Sequence, residues 1–171
     1  MPQLIIDKFT FDLPTGWRHP KYDDSTYYRK HFNGFAASKA VDLLALAPRH
    51  SELWMVEIKD YRRRRRTKPG SLFTEVAHKV RDTLAGLAAA RVAANDPQLQ
   101  AFAVDAMRAD SFRVVLLLEQ PQKPSKLFPQ AVDPATARTA LKKAVRVVDP
   151  HPIFGNACAL TEKIGWNVTP P

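Results

Sequence analysis

Three residues carry the chemistry this sequence can do: Asp42, Glu57 and Lys59. Glu57-Ile58-Lys59 follows the apolar run Leu53-Trp54-Met55-Val56, and Asp42 comes fifteen residues before Glu57, at the head of the run Leu43-Leu44-Ala45-Leu46-Ala47. Pro48-Arg49-His50-Ser51 separates the two runs, which predicts a β-hairpin turning at residues 48–51. That turn places Asp42 opposite Lys59 and Leu44 opposite Glu57. Side chains alternate between faces of a strand, so Asp42, Glu57 and Lys59 share one face. Val41, Leu43, Ala45, Trp54, Val56 and Ile58 take the other, which is wholly apolar. A slip of one residue would break the grouping.

Two carboxylates and an ammonium at one end of a buried hairpin are costly unless they pair or bind a metal. Oxygen ligands suit Mg²⁺ or Mn²⁺, and such an ion relieves the repulsion between the acids. A lysine beside them can orient water or offset charge at a phosphorus centre. This is the chemistry of phosphodiester hydrolysis. A salt-bridged cluster at a strand end is the other reading of the same three residues.

Arg62, Arg63, Arg64, Arg65, Arg66 and Lys68 follow at once, six positive charges in seven residues. Guanidinium groups pair with phosphates in a fork geometry and give salt-sensitive affinity without sequence preference. Tyr61 could stack on a base or cover the sheet. No base-reading motif is present, so the expected recognition is of the backbone. A solvated loop is the alternative.

The elements that must position these groups can be sketched. Residues 3–11, QLIIDKFTF, read as one strand and STYYRKHF (25–32) as a second. Ser71 can cap a helix whose apolar positions Phe73, Val76, Val80, Leu84 and Leu87 recur at three and four residues. It should end near Asn95-Asp96-Pro97. FRVVLLLEQ (112–120) reads as a buried strand. Asp133 and Pro134 open another helix. The last 21 residues look irregular, with room for a short strand. The order predicts a single α/β domain over residues 1–171, built on one mixed sheet flanked by helices.

A net charge of +9, from 26 Lys+Arg against 17 Asp+Glu, favours an acidic partner. The single cysteine, Cys158, excludes an internal disulfide and a thiolate metal cage. The five histidines lack metal-ligand spacing, and no Gly-rich phosphate loop or HExxH motif occurs. No apolar run approaches the roughly 20 residues of a membrane span, and the first residues do not read as a signal peptide. A soluble, cytoplasmic protein is the expectation, with no membrane partner and an open oligomeric state.

The stretch VDLLALAPRHSELWMVEIKDYR resembles the PD-(D/E)XK, or restriction-endonuclease-like, nuclease superfamily. Asp42 matches the family's first acid, and Glu57-Ile58-Lys59 its acidic-x-Lys. Together with TKPG, RVVLLLEQP and DPHP, the pattern is similar to a group of small stand-alone bacterial proteins of this fold. The resemblance implies an αβββαβ-type core, with strands able to stand in for its N-terminal helix. It implies Mg²⁺ (or Mn²⁺) held by Asp42, Glu57 and the Ile58 carbonyl, with Lys59 catalytic. It implies a nucleic-acid substrate, with DNA ahead of RNA. Val41 replaces the usual proline, and Glu75-xxx-Lys79 stands where some members carry Gln-xxx-Tyr. Lys79 or Arg81 could reach a phosphate or simply lie on a solvated helix face. Many members have a further acid on an N-terminal helix; here only Asp23-Asp24 precede the motif, so a third acid is supplied differently or missing. A catalytically inactive, nucleic-acid- or protein-binding module on the same fold is the rival.

Overall fold

The long strands are apolar on both faces, and the architecture follows from covering both. In the computed structural model, which describes residues 3–171, a four-stranded mixed sheet has the order β3 (Leu43–Leu46), β4 (Glu52–Asp60), β5 (Ser111–Glu119), β6 (Ile153–Gly155). β3 and β4 pair antiparallel; β4–β5 and β5–β6 are parallel. Helices α1 (Leu72–Ala93) and α2 (Pro97–Ala106) connect β4 to β5, and α3 (Pro134–Val145) connects β5 to β6. Leu44, Leu46, Leu53, Met55, Val114 and Leu116 pack with residues of α1, α2 and α3 on one face. Leu43, Ala45, Trp54, Val56, Ile58, Val115 and Leu117 form the other face. It is covered by α4 (Ala157–Ile164) and by a small antiparallel sheet, β1 (Gln3–Ile6), β2 (Phe9–Asp12) and β7 (Asn167–Thr169). Burial on both faces explains the near-continuous apolar runs of β4 and β5. Among the described residues, no helix is long and apolar enough to cross a membrane.

The expected α/β arrangement, a mixed sheet flanked by helices, is present. Several local expectations need correction. Among the described residues there are two sheets, not one: residues 3–11 fold back at Asp7-Lys8, where both φ angles are positive (47° and 71°), as a tight two-residue hairpin turn requires. STYYRKHF is helical, not extended: Tyr28–Phe32 is a short π-helical turn. The Ser25 hydroxyl accepts from Tyr28 N–H at 3.1 Å, and Tyr28 and Phe32, four residues apart, are buried together. The aromatic content suggested a strand, but the spacing of the buried residues is helical. Asp96, whose side chain accepts from Gln98 N–H, and Pro97 start α2, which the pattern reading passed over. The tail holds α4, capped by Asn156, in addition to its short strands.

The hairpin turns at residues 48–51, but its register is two residues away from the expected one: Leu44 faces Met55, not Glu57. Arg49 and His50 both take positive φ, which moves the centre of the turn one residue back. A two-residue shift keeps every side chain on its face. Val41 is the exception. It precedes β3 and packs with the helices, not with Leu43 and Ala45.

Candidate functional site

Glu57 lies on β4 directly after the inward-facing Leu53 and Met55, so the same alternation carries its carboxylate into the helix-covered face. Its side chain is 1% exposed. What it meets there comes from α1. Glu75, Lys79 and Thr83 are spaced by four along that helix and so line one face. Lys79 Nζ lies 2.7 Å from Glu57 Oε1, 2.9 Å from Glu57 Oε2 and 3.1 Å from Asp42 Oδ1. Lys59 Nζ lies 2.5 Å from Glu57 Oε1 and 3.4 Å from Glu75 Oε1. Asp42, Glu57 and Lys59 are thus brought together, and one ammonium bridges the two acids.

Asp42 precedes β3, and its approach is fixed by side chains that the sequence reading missed. Val41 N–H donates to the fully buried Thr83 hydroxyl at 3.0 Å, and Lys39 N–H to Asp82 at 3.2 Å. The Tyr28 hydroxyl donates to Ser38 C=O and accepts from Ala40 N–H. Asp42 Oδ2 in turn accepts Ile58 N–H at 2.7 Å. A strand residue's N–H and C=O point to the same edge, so the Ile58 carbonyl is aimed to the Asp42 side. The four-residue spacing of Glu75, Lys79 and Thr83 was the available signal for the α1 face. Asp23 is also within electrostatic reach of the site: burial, Asp24 and, least, Asp42 raise its pKa against backbone hydrogen bonds that lower it.

The electrostatics follow from burial and pairing. Burial lifts the Glu57 pKa to about 7, with a contribution from Asp42; Lys79 and Lys59 pull against it. Burial alone would lower Lys59, but Glu57, Asp42 and Glu75 outweigh it, and its pKa is raised. Lys79 is raised in the same way, by Glu57 and Asp42 against burial. Glu75 is also partly desolvated, yet hydrogen bonds from Lys68 and Arg66 and the charge of Lys59 bring it to about 2.

The basic run does not act as one strip. Arg62 forms a two-pronged pair with Asp60 and lies over the Phe9 ring, 5.8 Å from its centroid. Arg66, only 12% exposed, pairs with Glu75 at 3.1 Å and donates to the Tyr61 hydroxyl and the Gly70 carbonyl. Lys68 also pairs with Glu75, at 2.9 Å. Arg63, Arg64 and Arg65 are exposed. Beside the acids, a cleft of about 680 Å³ is lined by Lys39, Arg66, Lys68, His78, Lys79 and Arg81, with Glu75 and Asp82 among them.

Glu75 is therefore the anchor of the loop that carries the arginines. Its folded-state pKa is depressed, so the stability it contributes is present above its ordinary value of 4.5 and is lost as pH falls toward 2. Glu75→Gln should lower stability near neutrality by about 1 kcal/mol and flatten the acid limb over that window. Denaturant titrations at a series of pH values measure both; an unchanged acid limb would contradict the assignment.

The donor set suits a small, hard divalent ion in type and convergence. Two carboxylates face one point that already holds a cation, and the Ile58 carbonyl is aimed to the same side. Water would have to supply the remaining ligands of such an ion, because no group of three or more His, Cys, Asp or Glu residues suited to a metal occurs among the described residues.

No family model matches the chain, and no solved structure matches it. Among known proteins, it is similar to a cysteine–tRNA ligase of Neisseria meningitidis serogroup A / serotype 4A, 30% identical over 164 residues, which take in 78% of this chain and 23% of the ligase. The chain spans about a quarter of that relative's length, so the likeness is to a part of the ligase.

Proposed function

We propose that the chain is a metal-dependent nuclease of the restriction-endonuclease-like fold, hydrolysing phosphodiesters of DNA ahead of RNA with little sequence preference. The observation that carries the reading is the meeting of Asp42, just before β3, and Glu57, on β4, at one cation with Lys59 on the same carboxylate. Asp42, Glu57 and the Ile58 carbonyl would hold Mg²⁺ or Mn²⁺. When bound, that ion supplies a water of lowered pKa and neutralises charge developing on the phosphate. Asp42 keeps its orientation through Ile58 N–H. Lys59 is positioned by Glu57 and Glu75 to orient the attacking water or to offset charge on the phosphoryl oxygens. The exposed Arg63, Arg64 and Arg65, and the basic cleft beside α1, supply backbone contacts without reading bases.

A non-catalytic nucleic-acid-binding module is favoured by one specific observation: the Lys79 ammonium already bridges the two acids. One experiment separates the readings. Plasmid, single-stranded DNA and RNA, including a tRNA in view of the ligase likeness, are incubated with Mg²⁺ or Mn²⁺ and either the native chain or Lys59→Ala. The nuclease reading expects cleavage that falls roughly 100-fold or more in the variant. Tight binding without cleavage by either protein establishes the binding module instead.

A further inference from the structure

We propose that Lys79 is a resident counter-ion: it holds the cation position between Asp42 and Glu57 until a phosphate draws it out, so that a divalent ion and a phosphodiester bind cooperatively. This rests on the metal-site reading above and adds the device that controls it.

Competition for the same oxygens is the first reason. Lys79 Nζ is within 3.1 Å of Asp42 Oδ1 and both Glu57 oxygens. A Mg²⁺ ion demands oxygens at roughly 2.0–2.1 Å, so it cannot share this point with an ammonium. Charge is the second. Asp42 and Glu57 are matched by Lys59 and Lys79, and Glu75 is matched by Arg66 and Lys68. These three carboxylates already face four cations, so a divalent ion added to the set would enlarge a surplus of positive charge held largely out of water, which is costly. Moving Lys79 away from the acids lowers that surplus only if an anion receives it.

The exit is the third reason. Lys79 is 12% exposed and also lines the cleft of about 680 Å³. Lys39, Lys68, His78 and Arg81 lie along the same cleft. An ammonium moving outward by rotation of its flexible stem enters a channel whose carboxylates, Glu75 and Asp82, are already paired with Arg66, Lys68 and Arg81, so it is unfavourable there unless a phosphate is present. Metal and phosphate thus each remove the obstacle to the other. Linkage requires the effect to be reciprocal: whatever factor the phosphodiester adds to metal affinity, the metal adds to phosphodiester affinity.

The test is Mn²⁺ binding to the full chain by calorimetry, with and without a thymidine dinucleotide joined by a cleavage-resistant phosphorothioate. The proteins are the native chain, Lys79→Met and Lys79→Gln; the second neutral variant serves if the first does not fold by circular dichroism. Without dinucleotide, the neutral variants should bind Mn²⁺ about tenfold tighter than the native chain. The dinucleotide should tighten Mn²⁺ on the native chain about fivefold or more, Mn²⁺ should tighten the dinucleotide by the same factor, and the neutral variants should lose this coupling. Equal or weaker Mn²⁺ binding by both neutral variants, or none by any of the proteins, overturns the proposal. The nuclease reading fails separately: this pattern in a chain that cleaves nothing keeps the counter-ion and removes the nuclease. Cleavage with Mn²⁺ affinity indifferent to residue 79 does the reverse.

Discussion

Glu57→Ala is expected to destabilise the fold by about 3–5 kcal/mol, whether or not the protein is an enzyme. The carboxylate is buried and accepts from two ammonium groups, Lys59 at 2.5 Å and Lys79 at 2.7 Å. Removing it leaves two cations in a largely water-excluded space, with Asp42 and Glu75 as their remaining partners. A solvated ion pair would cost no more than about 1 kcal/mol, so the magnitude discriminates between the two pictures. The double variant Glu57→Gln/Lys79→Met removes one charge of each sign and should cost clearly less than the two single changes together. Urea unfolding of the native chain, Glu57→Gln, Lys79→Met and the double variant gives the cycle, and Glu57→Ala is measured beside them. A Glu57→Ala loss below about 1 kcal/mol, or strict additivity in the cycle, would mean that the cluster is not a coupled buried unit.

The same cluster marks the boundary of what the sequence discloses. Asp42, Glu57 and Lys59 could be grouped from sequence because strand periodicity is forgiving. The register differs from expectation by two residues, and a two-residue shift leaves Glu57 and Lys59 on the face where they were expected, while Asp42, just before β3, reaches them through Ile58 N–H and Lys79. Val41 escaped the rule because it lies before β3, where alternation no longer applies. Lys79 was visible only as a residue able to reach the site or lie in solvent. Its contact with both acids depends on how α1 crosses the sheet, and no local pattern encodes that. The Tyr28–Phe32 turn was misread because aromatic residues favour strands by propensity while burial here follows helical spacing. Asp96-Pro97, a cap followed by a first-turn proline, starts α2 where the same residues also serve as the stop of α1, so the local signal has two readings. The arginine run shows a different limit. Its composition suggests one function, but Asp60 and Glu75 divide it, and the second of these lies on the next helix.

That division predicts that neighbouring arginines fail in different ways. Replacing Arg63, Arg64 and Arg65 together with alanine should leave stability within about 0.5 kcal/mol, because all three are exposed. If each meets one phosphate, the triple variant should lower the slope of log affinity against log salt by about 2.7 for duplex DNA, at about 0.9 per contact. At about 0.1 M salt that slope corresponds to a loss of up to roughly 500-fold in affinity. Arg66→Ala should behave in the opposite sense. Its guanidinium is tied to Glu75, Tyr61 and Gly70, so its removal loosens the loop and leaves Glu75 with fewer partners. A stability loss of about 1–2 kcal/mol is expected, with the salt slope changed by less than about 1. Fluorescence anisotropy with a labelled duplex over 50–200 mM salt, paired with urea unfolding, measures both quantities. Equal salt slopes for the native chain and the triple variant would remove the run from the nucleic-acid surface and leave the α1 cleft as the basic contact. A large slope change on Arg66→Ala with unchanged stability would mean that Arg66 leaves Glu75 for a phosphate when nucleic acid binds.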